Sequence, residues 1–178
     1  SSDQFEVIVG LDKSPDRTEE LVRTFKEQYA YSNLRLEILA NEGKSQAINR
    51  CIEIAKGSIV ISIDVDTIHQ NDAFRVIANR FVANERLGCL SCVPQMTEDG
   101  PENAYWKHEI RVRAFESRRG LMPVVTGWLF AVRRVAYIPV PKGVMSDDFW
   151  IPMAMGSNGW EIRQDERVIA ESHQGSDD

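Results

Sequence analysis

The stretch Ser58-Ile59-Val60-Ile61-Ser62-Ile63-Asp64-Val65-Asp66-Thr67 indicates the fold more strongly than any other part of the chain. Its first six residues are almost all apolar, which predicts a strand buried on both faces of a sheet. Side chains two positions apart on an extended chain point to the same face, so Asp64 and Asp66 could share one hard cation. A solvated turn explains this spacing equally well, but the position at the carboxyl end of a buried strand favours a metal site.

Strand-like and helical patterns alternate on both sides of this stretch. Further strands are predicted at residues 5–10, 34–40, 88–93, 124–132 and 160–163. Helices are predicted from Ser14, as N-cap, to about Tyr29, at 43–56, at 71–84, around 106–115 and at 147–155. This alternation predicts an α/β fold with a mainly parallel central sheet flanked by helices. The length of 178 residues fits a single domain over residues 1–178.

The composition excludes several classes of protein. The chain has 21 Lys and Arg against 27 Asp and Glu, a net charge of −6, whereas proteins that bind nucleic acid or anionic membranes need a basic face. No apolar run approaches the roughly 18 residues of a membrane span. Three cysteines, an odd count, argue against a disulfide scaffold and for a reducing compartment, so we expect a cytoplasmic protein.

A second candidate site lies at Asn41-Glu42-Gly43-Lys44-Ser45, between a predicted strand and a predicted helix. A helix start with a glycine and a lysine suits a phosphate group, although an ordinary helix start with an exposed lysine has the same pattern. A P-loop is excluded because it needs a glycine five residues before Gly43, where Ile38 stands. A dinucleotide dehydrogenase has no support because no Gly-x-Gly-x-x-Gly follows a strand. An aspartyl phosphatase would place its threonine one residue after Thr67.

Two further pairs of residues have the spacing of chemical sites. Asp147-Asp148 precede the bulky Phe149-Trp150; one acidic residue is explained by the dipole of a helix start, but an adjacent pair beside apolar residues suggests a general base. Cys89 and Cys92 have the separation of a zinc or redox pair. On a strand this separation points the thiols to opposite faces, so core packing is predicted.

Taken together and in order, these motifs resemble the family 2 glycosyltransferases, which have the GT-A fold. Residues 41–49 are similar to the Gly-Lys…Ala-x-Asn helix start of the family, and residues 56–67 to its Lys-Gly strand that ends in Asp-x-Asp. Residues 127–134 resemble the glycine-then-Arg-Arg strand, and residues 146–152 the acidic base motif. The resemblance is strongest to the polysaccharide-synthase branch, which includes cellulose, hyaluronan and poly-N-acetylglucosamine synthases.

The resemblance implies an inverting transfer of a sugar from a nucleotide-sugar, expected to be a UDP-sugar, to a carbohydrate or lipid-linked acceptor. Mg2+ or Mn2+ is the implied cofactor. Asp12 would contact the nucleotide base, Lys44 the nucleotide or its diphosphate, and Asp64 the ribose and diphosphate. Asp66 would bind the metal ion between the two phosphates.

The same resemblance implies the acceptor side of the site. Asp148 would be the general base that takes the proton from the acceptor hydroxyl. Asp147, Gly127 and Trp128 would shape the acceptor site. The resemblance thus assigns one group of carboxylates to the metal and a second, distant in sequence, to the acceptor.

Two departures from the family pattern concern the ends of the chain. The family has a further strand and helix before the equivalent of Phe5, and the synthase branch continues past the equivalent of Glu171, often into membrane helices. We therefore expect either a divergent protein or a truncated GT-A domain from a longer protein, in the cytoplasm or at the cytoplasmic face of a membrane. A missing interior strand would expose a sheet edge at which two copies could form a homo-oligomer.

Two alternatives remain beside an active transferase. An incomplete or catalytically inactive domain of the same fold would only bind nucleotide or serve as an interaction module. A sugar-phosphate nucleotidyltransferase would need a Gly-rich, Arg-containing loop after the first strand, and Leu11-Asp12-Lys13-Ser14-Pro15 does not match it.

Overall fold

The structure is a computed structural model that describes residues 4–95 and 101–172. Its elements are β1 (Val7–Asp12), α1 (Thr18–Gln28), β2 (Leu34–Leu39), α2 (Lys44–Ile54), β3 (Ile59–Ile63), β4 (Thr67–His69), α3 (Ala73–Ala83), β5 (Leu87–Pro94), α4 (Pro101–Arg118), β6 (Leu129–Arg133), α5 (Asp147–Ser157) and β7 (Glu161–Ser172). They form two compact units: residues up to Ser58 with Pro139–Met145, and Ile59–Ile138 with the residues from Ser146 onward. The predicted α/β class is confirmed, and the single domain over 1–178 stays a prediction.

The first unit is built on two parallel strands. β1 and β2 pair over all six residues of each strand, and helix α2 packs against β1. The two elements approach closely at Gly10, where an added Cβ atom would lie 2.7 Å from the sulfur of Cys51. Glycine is therefore the residue that lets helix and strand pack this closely.

The second unit contains a five-stranded sheet in the order β3-β6-β5-β7-β4. Only β5 and β7 pair in parallel, while β3 with β6, β6 with β5 and β4 with β7 are antiparallel. The prediction of a mainly parallel sheet therefore holds for the first unit and is corrected for the second. The reason is β6, which inserts between β3 and β5 and runs antiparallel to both. Alternation along the chain does not reveal such a long-range insertion.

The core of the second unit lies between helix α3 and the centre of this sheet. The helix buries four residues on one face, Ala73, Val76, Ile77 and Phe81, which join side chains of β5, β6 and β7 in one cluster. β5 is buried at seven of its eight positions. β3 was predicted to be buried on both faces, but it is only partly buried and Ile63 is 38% exposed, because β3 is an edge strand of this sheet.

Cys89 and Cys92 are packed in the interior of the second unit, as the sequence predicts, and Cys92 belongs to this cluster. Both are fully buried, and burial raises the pKa of each thiol to about 12. A thiol with such a pKa is protonated at neutral pH and does not act as a nucleophile.

Local hydrogen bonding shifts the start of helix α1. The helix begins at Thr18 rather than after Ser14. The carboxylate of Asp16 accepts hydrogen bonds from the Ser14 hydroxyl at 2.7 Å and from the Thr18 N–H at 2.9 Å. This side-chain turn keeps residues 14–17 out of the helix.

Other differences concern the strands that form by tertiary pairing. The strand predicted at 124–132 is present only from Leu129, the short β4 was not predicted, and β7 is much longer than the predicted 160–163. β4 is a strand because it pairs with the end of β7, which also pairs with β5. Within residues 4–95 and 101–172, none of the helices combines the length and hydrophobicity that a bilayer span requires.

One buried carboxylate makes the second unit sensitive to acid. Asp165 in β7 is 5% exposed and forms ion pairs with Arg80 and Arg167. Burial by itself raises the pKa of Asp165, but hydrogen bonds from Arg167 and Arg80 outweigh burial and lower the pKa from 3.8 to about 2. The unfolded chain therefore takes up this proton at a higher pH than the folded protein does.

We expect this carboxylate to contribute roughly 2 kcal/mol of stability above about pH 5, lost as the pH falls through 4 toward 2. Urea denaturation of the wild type and Asp165→Asn at about pH 7 and about pH 3 measures this contribution. The variant should be less stable at neutral pH and should lose less stability in acid. An identical pH dependence of the two proteins would contradict the assignment.

Candidate functional site

The two aspartates after β3 lie in a β-turn. The Thr67 N–H donates to the Asp64 carbonyl over 3.1 Å and closes the turn. The chain is therefore not extended here, and the argument that extension points both carboxylates to one face is corrected. The carbonyl of Trp128 holds the turn by accepting from the Asp64 N–H at 3.0 Å and from the Thr67 hydroxyl at 3.2 Å.

Asp66 is oriented by the last residue of β7. The Ser172 hydroxyl donates to Oδ2 of Asp66 over 2.9 Å. The pairing of β4 with β7, which sets Thr67 opposite Ser172, brings the two side chains together. A carboxylate has about four acceptor positions, so this hydrogen bond leaves capacity for a cation at the same group.

The two carboxylates of the turn fit a metal ion that is also bound by a phosphate group. Within the described ranges, 4–95 and 101–172, no group of three or more His, Cys, Asp or Glu side chains could hold a metal ion. Mg2+ commonly binds through only one or two carboxylates and takes its other oxygens from water and substrate phosphates. Asp64 and Asp66 fit that mode, and the binding of Mg2+ or Mn2+ by Asp66 stays a prediction.

The loop before β6 connects the acidic turn with the start of helix α5. The Val125 N–H donates to the carbonyl of Asp148 over 3.0 Å, and three residues later the Trp128 carbonyl accepts from Asp64. Three Cα–Cα steps span at most about 11 Å. In the second unit, the predicted metal site and the predicted base are therefore each hydrogen-bonded to the backbone of one short segment.

Both acidic residues of the predicted base motif lie in the first turn of α5. Oδ1 of Asp148 accepts a hydrogen bond of 2.5 Å from the Ser146 hydroxyl, whereas Asp147 is 9% exposed and buried. The half-buried Asp148 is the better placed of the two to meet a substrate. The assignment of Asp148 as general base, with Asp147 on the acceptor side, stays a prediction.

Gly127 and Trp128 lie in the same loop, directly before β6. An added Cβ atom at Gly127 would meet no atom within 4 Å, so the fold of the second unit does not require glycine there. The ring of Trp128 lies 6.3 Å from the ring of Trp106, measured between centroids. Their part in binding an acceptor stays a prediction.

The first unit brings Asp12 and Lys44 to one loop. The carboxylate of Asp12, at the end of β1, accepts from the N–H groups of Glu42 at 3.0 Å and Gly43 at 2.7 Å. Gly43 has a φ of +91°, a backbone conformation that residues with a side chain rarely adopt. Lys44 begins helix α2. Asp12 thus shapes the loop that presents Lys44, and the contact of either residue with a nucleotide stays a prediction.

The segment Pro139–Met145 is fixed to helix α2 within the first unit. Oδ1 of Asn49 accepts from the Val140 N–H and Nδ2 donates to the Val140 carbonyl, both at 2.9 Å. Gln46 adds a hydrogen bond of 3.1 Å to the same carbonyl, and Lys142 forms an ion pair with Glu42. This segment leads directly into Ser146 and helix α5.

The comparison with known families decides the identity of this fold. The model of glycosyl transferase family 2 matches residues 1–139. The chain belongs to glycosyltransferase family 2. The resemblance found in the sequence is thereby confirmed, and the motifs at residues 41–49, 56–67 and 127–134 all lie within the matched region.

Curated relatives include bacterial polysaccharide synthases. The poly-beta-1,6-N-acetyl-D-glucosamine synthase of Staphylococcus epidermidis is 32% identical over 91 residues, which are 51% of this chain and 22% of that protein. The enzyme of the same name from Staphylococcus aureus is 31% identical over the same length. The chain therefore spans about a fifth of the length of the curated relatives it matches. The similarity to the polysaccharide-synthase branch is confirmed.

Solved structures confirm the GT-A fold. A mannosyltransferase from Pyrobaculum calidifontis, in complex with GDP-Man and Mn2+, aligns with 99% of this chain and 50% of its own, at a TM-score of 0.80 and 24% identity. GalNAc-T7 with UDP, GalNAc and Mn2+ aligns with 96% of this chain and 38% of its own, at a TM-score of 0.66 and 13% identity. At these identities the likeness shows the fold alone.

The sequence did not reveal the residues whose hydrogen bonds hold the predicted site residues and their loops in place. Ser172 has no motif, because its contact with Asp66 depends on the pairing of β4 with β7. Asn49 belongs to the family motif, but its partner Val140 is 91 residues away. The buried Arg113, bonded to Thr126 next to Gly127, has the sequence pattern of an ordinary helix surface.

We expect Asn49→Ala to lower the free energy of unfolding by about 1–3 kcal/mol, because the buried Val140 N–H loses its only side-chain acceptor in the described structure. Gln46→Ala, which removes one of two donors to the Val140 carbonyl, is the matched control and should cost less. Urea denaturation measures both. Equal effects of the two variants would show that the Asn49 amide does not hold this segment.

Proposed function

We propose that this chain is the donor-binding and catalytic part of a metal-dependent, inverting glycosyltransferase. The single observation that carries the proposal is the segment from Val125 to Trp128, whose backbone holds both the Asp64–Asp66 turn and the start of helix α5. A sugar transfer needs acidic groups at both of these places: one for the diphosphate that leaves and one for the hydroxyl that attacks.

The chemistry is one displacement at the anomeric carbon of the donor sugar. The acceptor oxygen forms the new bond while the bond from the anomeric carbon to the diphosphate oxygen breaks, and the hydroxyl proton passes to a carboxylate of Asp148. A bound Mg2+ or Mn2+ would supply positive charge to the diphosphate. Asp66 and Asp64 would hold that ion and orient the ribose and diphosphate.

The loop of the first unit would serve the nucleotide. Lys44, at the start of helix α2, offers a cation and a helix N-terminus to phosphate oxygens. Asp12 would contact the base, as the family resemblance implies, while its hydrogen bonds to Glu42 and Gly43 keep the loop in shape.

The open space beside Gly127 supports an acceptor site in the second unit. We propose a carbohydrate or lipid-linked acceptor. The relatives named poly-beta-1,6-N-acetyl-D-glucosamine synthases make UDP-N-acetylglucosamine the first donor to test and a β-1,6-linked N-acetylglucosamine oligosaccharide the first acceptor.

We expect UDP to bind in the presence of Mn2+ and Asp66→Ala to weaken that binding by about 100-fold or more, since the carboxylate holds the ion that the diphosphate needs. Calorimetric titration with and without Mn2+ measures the effect. Asp72→Ala, which removes an exposed carboxylate of the same unit, is the matched control and should bind as the wild type does. No binding of UDP, GDP or dTDP under any of these conditions would contradict the proposal and favour an inactive domain.

We expect Asp148→Asn to lower the rate of transfer by about 100-fold to 10,000-fold and to leave the affinity for UDP unchanged. The amide keeps the size of the side chain and its hydrogen bond from Ser146, but it cannot take up the proton of the acceptor. Release of UDP from UDP-N-acetylglucosamine, with and without the oligosaccharide, measures the rate. A variant that transfers at the wild-type rate would remove Asp148 from the mechanism.

A further inference from the structure

Arg113, in helix α4, is a buried cation that the proposed mechanism does not use. Its side chain is 9% exposed. Nε donates to Oε1 of Glu109 over 3.1 Å, one helical turn away. A guanidinium is costly to bury unless its donors are paired, so a simple surface pair with Glu109 does not explain why this arginine turns inward.

A second nitrogen of the guanidinium points away from helix α4 and contacts the loop before β6. Nη1 of Arg113 donates to the hydroxyl of Thr126 over 3.1 Å. Thr126 is itself 5% exposed, its N–H donates to the Ser91 hydroxyl at 2.8 Å, and its hydroxyl donates to the Cys92 carbonyl at 3.3 Å. The loop is thus clamped between helix α4 and strand β5 at the residue before Gly127.

The same guanidinium also lies over an aromatic ring. The central carbon of Arg113 is 5.9 Å from the centroid of the Trp106 ring, within the range of a cation–π contact. Trp106 in turn lies 6.3 Å from Trp128, with the ring planes inclined by 37°. One arginine therefore contacts the elements that carry both tryptophans: the ring of the first, and the residue two positions before the second.

The two tryptophans are half-buried, and the backbone of Trp128 holds the Asp64 turn. Large aromatic surfaces with a polar edge suit a ligand that has both an apolar face and hydroxyl groups. A pyranose ring has this character, because its C–H groups form apolar faces while its hydroxyls point outward.

We infer that Trp106 and Trp128 form a platform for a sugar ring of the acceptor, and that Arg113 is the positioning residue that sets it. The inference rests on the proposed function, which supplies the carbohydrate acceptor. It adds Trp106 and Arg113 to the site, and it explains the inward arginine by its bond to Thr126. Arg113 acts through Thr126 and Trp106 and touches no reacting atom.

The test labels the four tryptophans with 5-fluorotryptophan and assigns each 19F resonance by a Trp→Phe variant. Titration with a β-1,6-linked N-acetylglucosamine tetrasaccharide should shift the resonances of Trp106 and Trp128 and leave that of Trp160 in place. If neither resonance moves, the platform is overturned whatever the protein does with UDP. If they move while UDP with Mn2+ does not bind, the platform stands and the donor part of the proposed function falls.

Arg113→Met removes the charge and both hydrogen bonds. It should move the Trp106 and Trp128 resonances before any ligand is added. It should also weaken tetrasaccharide binding by about tenfold or more, because the charge-assisted hydrogen bond to Thr126 that holds the platform in place is lost. Arg111→Met, at an exposed position of the same helix, makes the same change of charge and should match the wild type. Equal spectra and affinities for the Arg113 and Arg111 variants overturn the positioning role.

Thr126→Val keeps the test decisive if Arg113→Met does not fold. It removes the hydroxyl that receives the arginine and preserves the shape of the side chain. We expect it to shift the Trp128 resonance and weaken tetrasaccharide binding while Trp160 stays in place. An unchanged Trp128 resonance and an unchanged affinity in this variant would separate Thr126 from the platform and overturn the inference.

Discussion

The carbonyl oxygen of Trp128 is the acceptor on which the acidic turn depends. It receives the N–H of Asp64 and the hydroxyl of Thr67, so the turn keeps its place only while this carbonyl does. Its position follows from the core, because the next residue, Leu129, begins the interior strand β6 and is completely buried. A close-packed interior tolerates little displacement, and that rigidity passes directly to the turn.

The first unit uses a different device for the same purpose. The carboxylate of Asp12 holds two backbone N–H groups at the start of helix α2, and Gly43 supplies the positive φ that the loop needs. Each unit therefore presents its predicted site on a short loop whose backbone is satisfied by hydrogen bonds. Such loops can present polar functional groups because the rigid elements beside them already fix the loop, so little conformational entropy remains to be lost.

How well each helix or strand could be predicted depends on how far apart in the sequence the interacting residues lie. Helices α2, α3 and α5 could be predicted almost to their ends, because their patterns and stop signals are local. Strand β4 and the later part of β7 could not, since β4 is a strand because it pairs with β7, and the later part of β7 pairs with both β4 and β5. The start of α1 was missed for a local reason: the side chain of Asp16 competes for the backbone N–H of Thr18.

From the amino-acid sequence alone we could predict the α/β class, the family and a set of candidate site residues, because motifs and periodicity are properties of neighbouring residues. The insertion of β6 between β3 and β5, the contact of Ser172 with Asp66 and the inward turn of Arg113 to Thr126 became visible in the three-dimensional structure. These contacts join residues that are far apart in the chain or, for Arg113, depend on which face of a helix is buried. Such choices follow from packing and from the need to satisfy buried polar groups, and neither is written in local sequence.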